Sequence, residues 1–388
     1  MTTPHLAVIG GGQLARMMQQ AAIGLGVHIR LLAEAPDVSA AQVIPDHIVG
    51  DYTDLDTLRR AVADAPVVTF DHEHVPPGHL NTLKSEGHAC RPGPEALLYA
   101  QDKAEMRMRL GELGIPCPRN APISAPEDLD AFAQSLGGYP VVLKTTRGGY
   151  DGKGVWVIDS LADADEAFAS GRPLIGEEKV DFVRELSVLV ARSPSGDSRV
   201  YPVVESRQVE GVCKEVIAPA PDLARDLDAA ARDIAASIAE NLGVTGILAV
   251  ELFETRDGRV LVNELAMRPH NTGHWTIDGA ETSQFENHLR AVLDMPLGPT
   301  TPRAPWTVMV NILGGTVGDL ETQAALVLAI EPEIRIHLYG KAVKAGRKVG
   351  HVTAYGDDLA TVKRSARRAA RMFEDGFTEA WQNTEGEK

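Results

Sequence analysis

Three cysteines in 388 residues, Cys90, Cys117 and Cys213, are too few and too scattered to staple a fold. Their number is odd and no Cys-x-x-Cys occurs, which excludes a disulfide framework and a cysteine zinc site and fits a reducing cytosol. Positive charge is also in deficit: 38 Lys and Arg stand against 54 Asp and Glu, a net charge of −16. A chain this acidic lacks the electrostatic footprint of a nucleic-acid binder, so no nucleic-acid partner is expected. No apolar run reaches the roughly 18 residues of a membrane span. No basic leader precedes the first apolar stretch, so neither a membrane nor an export route is expected. Repeats, low-complexity tracts, a Walker A loop and a Ser/His/Asp or Cys/His nucleophile arrangement are missing too.

What remains is an ordinary globular composition, 44% hydrophobic and 24% charged, long enough for about two to three domains. The first hundred residues alternate strands (His5–Ile9, Val27–Leu32, His47–Val49, Val67–Phe70) with helical patterns (Gln13–Leu25, Leu55–Ala63). This predicts a parallel sheet with covering helices, closed off near Pro92–Pro94. A helix over Asp102–Leu113 stops at Gly114. Strands follow at Val141–Lys144, Val155–Ile158, Leu174–Glu178, Glu185–Ala191, Val200–Val204 and Val212–Ile217. The apolar stripe Leu223, Leu227, Ile234, Ile238, Leu242 predicts a helix over Pro221–Leu242 capped by Gly243. Asp257-Gly258 marks a hairpin between Gly246–Glu254 and Arg259–Leu265. Short strands and a final helix, about Leu359–Phe373, complete the chain.

Five clusters carry chemistry. Gly10-x-Gly12-x-x-Ala15 opens a helix after a strand, with Glu34 22 residues past Gly12. It reads either as a close backbone approach that favours an anion, as in a dinucleotide site, or as a bare strand–helix turn. Lys144 ends a buried strand and leads into Arg147-Gly148-Gly149-Tyr150-Asp151-Gly152-Lys153-Gly154, a glycine lid with basic side chains suited to phosphate oxygens. Glu251 and Glu264 lie on the two arms of the hairpin and are expected to face each other across the ladder. Set in apolar sequence, they call for a divalent cation or for salt-bridge partners, and Asn263 adds an oxygen. Met267–Trp275 is a donor-rich loop after Glu264. Lys341, Arg347 and Lys348 form a basic cluster, either a solvated face or a phosphate clamp.

Together these residues resemble the ATP-grasp superfamily. Within it, Gly12-Gln13-Leu14, Gly149–Gly154, Asn263-Glu264-Leu265-Ala266, Arg268–Thr276 and Gly346–His351 are similar to the N5-carboxyaminoimidazole ribonucleotide synthetase family of purine biosynthesis, over about residues 5–375. The resemblance implies a mixed α/β fold in three parts: a Rossmann-like pre-ATP-grasp domain (1–100), a two-lobed ATP-grasp domain (101–300, lid lobe about 115–178) and a small β-rich C-terminal domain (301–388). It implies carboxylation of 5-aminoimidazole ribonucleotide by bicarbonate, with ATP and Mg²⁺ and a carboxyphosphate intermediate, in a cytoplasmic homodimer.

Residue by residue, the resemblance assigns Lys103 and Lys144 to the ATP phosphates and the lid Gly149, Tyr150, Asp151, Gly152, Lys153 and Gly154 to closure over them. Glu177, Glu178, Lys179 and Val180 would meet the adenine edge largely through backbone groups, and Glu185 the ribose. Asn263 joins the nucleotide site, while Glu251 and Glu264 would hold Mg²⁺. Gln13, Leu14, Glu73, Asn271, Lys341, Arg347 and Lys348 would line the ribonucleotide site. Tyr150, Lys153, Arg268 and His270 would surround bicarbonate and the reacting amine. Lys103 and Lys153 stand where the family often has arginine, Val155 where it has glutamine and Met267 where it has proline; the lysines keep charge but lose a bidentate fork. Three other readings stay open: a formate-dependent glycinamide ribonucleotide transformylase or another acyl-phosphate ligase of the same superfamily, a nucleotide-binding oxidoreductase, and an inactive nucleotide sensor.

Overall fold

The computed structural model describes residues 5–149, 153–209 and 211–377. Among these, three sheets account for the strands. The N-terminal unit contains β1 (His5–Ile9), β2 (His28–Ala33), β3 (His47–Val49), β4 (Val67–Phe70) and β5 (Ala89–Cys90), with α1 (Gln13–Leu25), α2 (Leu55–Val62), α3 (Pro77–Ser85) and α4 (Pro94–Gln101). Its five strands run parallel in the order β3-β2-β1-β4-β5. β4 is buried along its whole length, as both faces of a parallel sheet require. The expectation that Pro92–Pro94 closes this unit misses a helix. Pro94 opens α4, just as Pro77 opens α3, because proline's fixed φ and missing N–H suit the first helical position.

α5 (Lys103–Glu112) leads to a second unit: β6 (Asn120–Ile123), α6 (Pro126–Ser135), β7 (Val141–Thr145), β8 (Val155–Ile158), α7 (Asp165–Ala169) and β9 (Leu174–Glu178). Its antiparallel sheet runs β6-β9-β7-β8 over a core of its own that includes Leu129, Phe132, Leu143 and Ile158. Leu113 caps α5, and Gly114, where the helix was expected to stop, takes the left-handed φ of +68°.

The third sheet is the largest. It holds β10 (Phe182–Arg192), β11 (Ser198–Val200), β12 (Val204–Val209), β13 (Val212–Ala218), β14 (Gly246–Thr255), β15 (Val260–Ala266), β16 (Trp306–Leu313), β17 (Arg335–Leu338) and β18 (Lys348–Gly356), in the order β15-β14-β10-β12-β13-β16-β18-β17 with β11 on β10. The single strand expected at Val200–Val204 is two, β11 and β12, broken where Pro202 offers no donor to a ladder and Tyr201 donates to Leu189 instead. Helices α8 (Arg225–Asn241), α9 (Thr276–Gly279), α10 (Gln284–Val292), α11 (Leu320–Ile330) and α12 (Leu359–Asp375) complete the chain. α8 starts four residues later than its apolar stripe suggests; Asp222, at φ +51°, sits in the turn before it. β16 hydrogen-bonds to β13, so the C-terminal strands continue the central sheet. α12 seals their outer face with Val362, Ala366, Ala369 and Phe373, a three- and four-residue spacing that forms one stripe.

Candidate active site

A cleft of about 1650 Å³ opens where the three sheets meet. Every described residue that the resemblance assigns to the site lines it, except Gly154. Tyr150, Asp151 and Gly152 lie outside the described residues. Gly154 closes the lid loop from behind: its carbonyl accepts from Thr145 N at 2.9 Å, and at φ +70° an added Cβ would stand 2.7 Å from Thr145 Oγ1, so glycine is required there.

The two hairpin carboxylates meet as expected. Glu251 on β14 and Glu264 on β15 are direct partners, and the register slips immediately after Glu251. Such a bulge re-aims side chains near functional sites. Burial, then the neighbouring Glu264 and Glu185, push the Glu251 carboxyl up to about 8. Burial pushes Glu264 the same way, but Lys103 and Lys144 outweigh it, so its net displacement is downward. Lys103 Nζ lies 2.7 Å from Glu264 Oε1. Among the described residues no group of three or more His, Cys, Asp or Glu is set to hold a metal. Two adjacent carboxylates, one held short of full ionisation by burial first and then by its neighbour, nevertheless fit a cation. Magnesium suits such a pair, because it draws its other ligands from phosphates and water.

Lys144 leaves the end of β7 with little exposure and places Nζ 2.8 Å from Glu177 Oε2 and 3.1 Å from Asn263 Oδ1. Glu177 also accepts from Arg107 Nε at 2.7 Å. Its buried side chain is therefore turned into this ion pair, and an adenine contact at Glu177 falls to the backbone. Arg107 goes on to donate to the carbonyls of Val262 at 3.1 Å and Asn263 at 2.7 Å. One buried guanidinium thus joins α5, the lid strand β9 and the Glu264-bearing strand β15. Sequence reasoning passed it over, since an arginine between Met106 and Met108 carries no signal of burial. A second tie crosses the same junction: Arg147 Nε bonds Asp102 at 2.7 Å, and Lys103 N donates to Thr146 O at 2.8 Å. Further along, Glu185 is pushed up to about 7 by burial.

On the opposite wall, Arg268 Nε and Met267 N donate to the two oxygens of Glu73, at 2.8 and 3.0 Å. His270 Nδ1 lies 2.9 Å from Thr272 Oγ1, and its Nε2 lies 3.7 Å from Glu251. Burial first, then Arg268 and Lys348, hold His270 well below the usual imidazole range, so it is neutral. Lys341 bonds Gln13 across the wall, and Arg347 donates to Ala342 O at 3.3 Å.

The glycine turn was read either as an anion site or as a bare strand–helix turn. Its amides already have anions, and these are the protein's own: Gly11 N donates to Glu34 at 3.0 Å, while Gly12 N and Ala15 N donate to Asp71 at 2.9 and 2.8 Å. Glu34, where a dinucleotide site would use it for a ribose, instead braces the turn. Gly12 is glycine because a Cβ would fall 2.1 Å from Asp71 Oδ2. Asp71 was missed; its one sequence signal is a carboxylate directly after the short, mostly apolar strand Val67-Val68-Thr69-Phe70.

Family models match three consecutive parts of the chain: a ribonucleotide synthetase preATP-grasp domain over 1–101, an ATP-grasp domain over 108–285 and a phosphoribosylaminoimidazole carboxylase C-terminal domain over 307–365. The N5-carboxyaminoimidazole ribonucleotide synthases of Mycobacterium tuberculosis and Corynebacterium ammoniagenes are 51% and 52% identical. The first match covers 97% of this chain and 90% of that protein, the second 95% and 91%. The crystal structure of the Thermus thermophilus synthetase superposes with a TM-score of 0.86 at 38% identity, over 96% of this chain and 99% of that one. An Aspergillus clavatus enzyme solved with ADP and 5-aminoimidazole ribonucleotide gives 0.88 at 31% identity, over 96% and 98%.

Proposed function

The chain belongs to the N5-carboxyaminoimidazole ribonucleotide synthase family of ATP-grasp ligases, and on that premise we propose how its residues divide the work. The enzyme carboxylates 5-aminoimidazole ribonucleotide with ATP in purine biosynthesis. The observation that carries the residue-level reading is the convergence, in one cleft, of a lid with a strand-end lysine, a paired carboxylate hairpin and a basic wall.

Bicarbonate is the carboxyl donor. One of its oxygens attacks the γ-phosphorus, the bond to the β-phosphate oxygen breaks, and ADP leaves carboxyphosphate behind. Lys103 and Lys144 hold the phosphate oxygens, for which position and charge matter more than covalent help. Glu251 and Glu264 would hold magnesium, which when bound neutralises charge on the transferring phosphoryl group. The lid from Gly149 to Gly154, with Tyr150 and Lys153, shields carboxyphosphate from water. The β9 end, Glu177 to Val180, takes the adenine edge and Glu185 the ribose.

The ribonucleotide lies against Gln13, Leu14, Glu73, Asn271, Lys341, Arg347 and Lys348. Its amine attacks the carboxyl carbon, the bond to phosphate breaks, and phosphate departs. Arg268 steadies the developing charge, and neutral His270 is the group able to accept the proton the amine loses. The same reading gives a cytoplasmic homodimer with working boundaries at 1–100, 101–300 and 301–388. No helix among the described residues is long and apolar enough to cross a membrane. Turnover of ¹⁸O-bicarbonate tests the route. One labelled oxygen in the released phosphate is expected; unlabelled phosphate would overturn the carboxyphosphate step.

A further inference from the structure

Asn311 lies on β16 with no exposure to solvent, opposite His351 in the β16–β18 ladder. Its Nδ2 donates to the carbonyl oxygen of Cys213 on β13 at 2.9 Å and to Oδ1 of Asn271 at 3.1 Å. The first bond decides the orientation of both amides. A backbone carbonyl can only accept, so Asn311 must turn its NH₂ group toward β13. The second hydrogen of that group then needs an acceptor, so Asn271 must offer its oxygen. This leaves the Asn271 NH₂ and the Asn311 Oδ1 as the unpartnered ends of the pair, and of the two residues Asn271 is the one that lines the cleft. Its NH₂ is buried and has no hydrogen-bond partner among the described residues. A buried donor held without an acceptor is unfavourable, and a ligand that brings one gains by it.

We propose that Asn311 is a positioning residue for the ribonucleotide. It fixes the Asn271 amide so that its NH₂, and not its oxygen, meets an acceptor atom of the bound substrate. The proposal rests on the ribonucleotide-site reading above. Without Asn311 the Asn271 amide is free to turn over, and it presents an oxygen where the substrate also presents one.

The test is steady-state kinetics of the full chain with 5-aminoimidazole ribonucleotide, Mg-ATP and bicarbonate. Asn311→Val keeps the strand and removes the donor. The ribonucleotide KM is expected to rise about tenfold, as for loss of one well-made hydrogen bond, while kcat and the ATP KM stay within about twofold. Placed in an Asn271→Ala background, the same change should add less than about twofold, because the two residues act through one contact. A role confined to packing would move the ATP KM as well and would add in full.

An unchanged ribonucleotide KM, or full additivity, overturns the proposal. Should Asn311→Val lose ADP binding, Asn271→Asp decides. Its carboxylate still accepts from Asn311 but cannot donate, so the same rise in ribonucleotide KM is expected, and an unchanged value overturns the proposal. A wild-type enzyme with no ribonucleotide-dependent turnover would sink the ligase reading itself. An active wild type with an indifferent Asn311 sinks only this inference.

Discussion

Replacing Arg107 by methionine removes four contacts at once: the bond to Glu177, those to the carbonyls of Val262 and Asn263, and a long one to Cys117 Sγ. Two routes give the cost. Breaking a buried ion pair by deleting one partner costs about 3–5 kcal/mol, because the other charge stays buried. Independently, burial pushes the Glu177 carboxyl up, yet Arg107 and Lys144 together draw it from 4.5 down to about 2, a net displacement worth about 3 kcal/mol in which Lys144 has a share. The two figures agree in order of magnitude. For 388 residues, at about 2.1 cal/mol/K per residue, the variant should melt roughly 4–6 °C lower if it unfolds in one transition. Calorimetry measures this directly. Arg107→Met combined with Glu177→Gln should recover only part of the loss, since it removes the orphaned carboxylate but takes from the buried Lys144 its partner at 2.8 Å. The sign with pH follows from the depressed value: the stabilisation is complete above about pH 4.5 and is lost as pH falls toward about 2. The gap between wild type and Arg107→Met should therefore narrow on acidification. A melting point within about 1 °C of wild type at pH 7, or a gap that widens in acid, would refute the reasoning.

Lys144→Met should lower kcat/KM for ATP by about a hundredfold or more while leaving the fold intact, read by initial rates beside circular dichroism; a loss under fivefold would remove Lys144 from the phosphate site. Gly12→Ala drives a methyl group into Asp71 and should cost about 1–3 kcal/mol, measured by urea unfolding, by displacing the carboxylate that satisfies the Gly12 and Ala15 amides; an unchanged midpoint would contradict the packing. His270, held neutral well below its usual range, should contribute no ascending limb near pH 6.5 to kcat/KM for the ribonucleotide; a limb there that vanishes in His270→Asn would show the imidazole is charged. Glu264→Gln should abolish magnesium-dependent ADP formation while ADP-free enzyme melts within about 3 °C of wild type, and retained turnover would exclude it as a ligand.

The hairpin carboxylates were legible because strand period, the Asp257-Gly258 turn and a thirteen-residue spacing leave little freedom in where Glu251 and Glu264 meet. The loop between β7 and β8 was legible because glycines follow a strand-end lysine, and the parallel sheet because strands and helices alternate. Three things were not. Helices that open on proline, at Pro77, Pro94 and Pro126, look like breaks to a reader of propensity, though the physics permits proline at the first position. The carboxylates that fill the glycine turn come from the ends of two other strands, so only the folded chain brings Asp71 and Glu34 to those amides. Arg107 and Asn311 act through residues 70 and 40 positions away. Nothing local distinguishes a buried arginine that ties three elements from a solvated one, nor a buried asparagine that orients another from one that merely fills a strand.

The most direct test of the account is ADP release from Mg-ATP, with 5-aminoimidazole ribonucleotide and bicarbonate each present or withheld. The account predicts release that needs both and that is lost in Glu264→Gln. Release that proceeds without the ribonucleotide, or that needs formate and glycinamide ribonucleotide in place of the two, would contradict it.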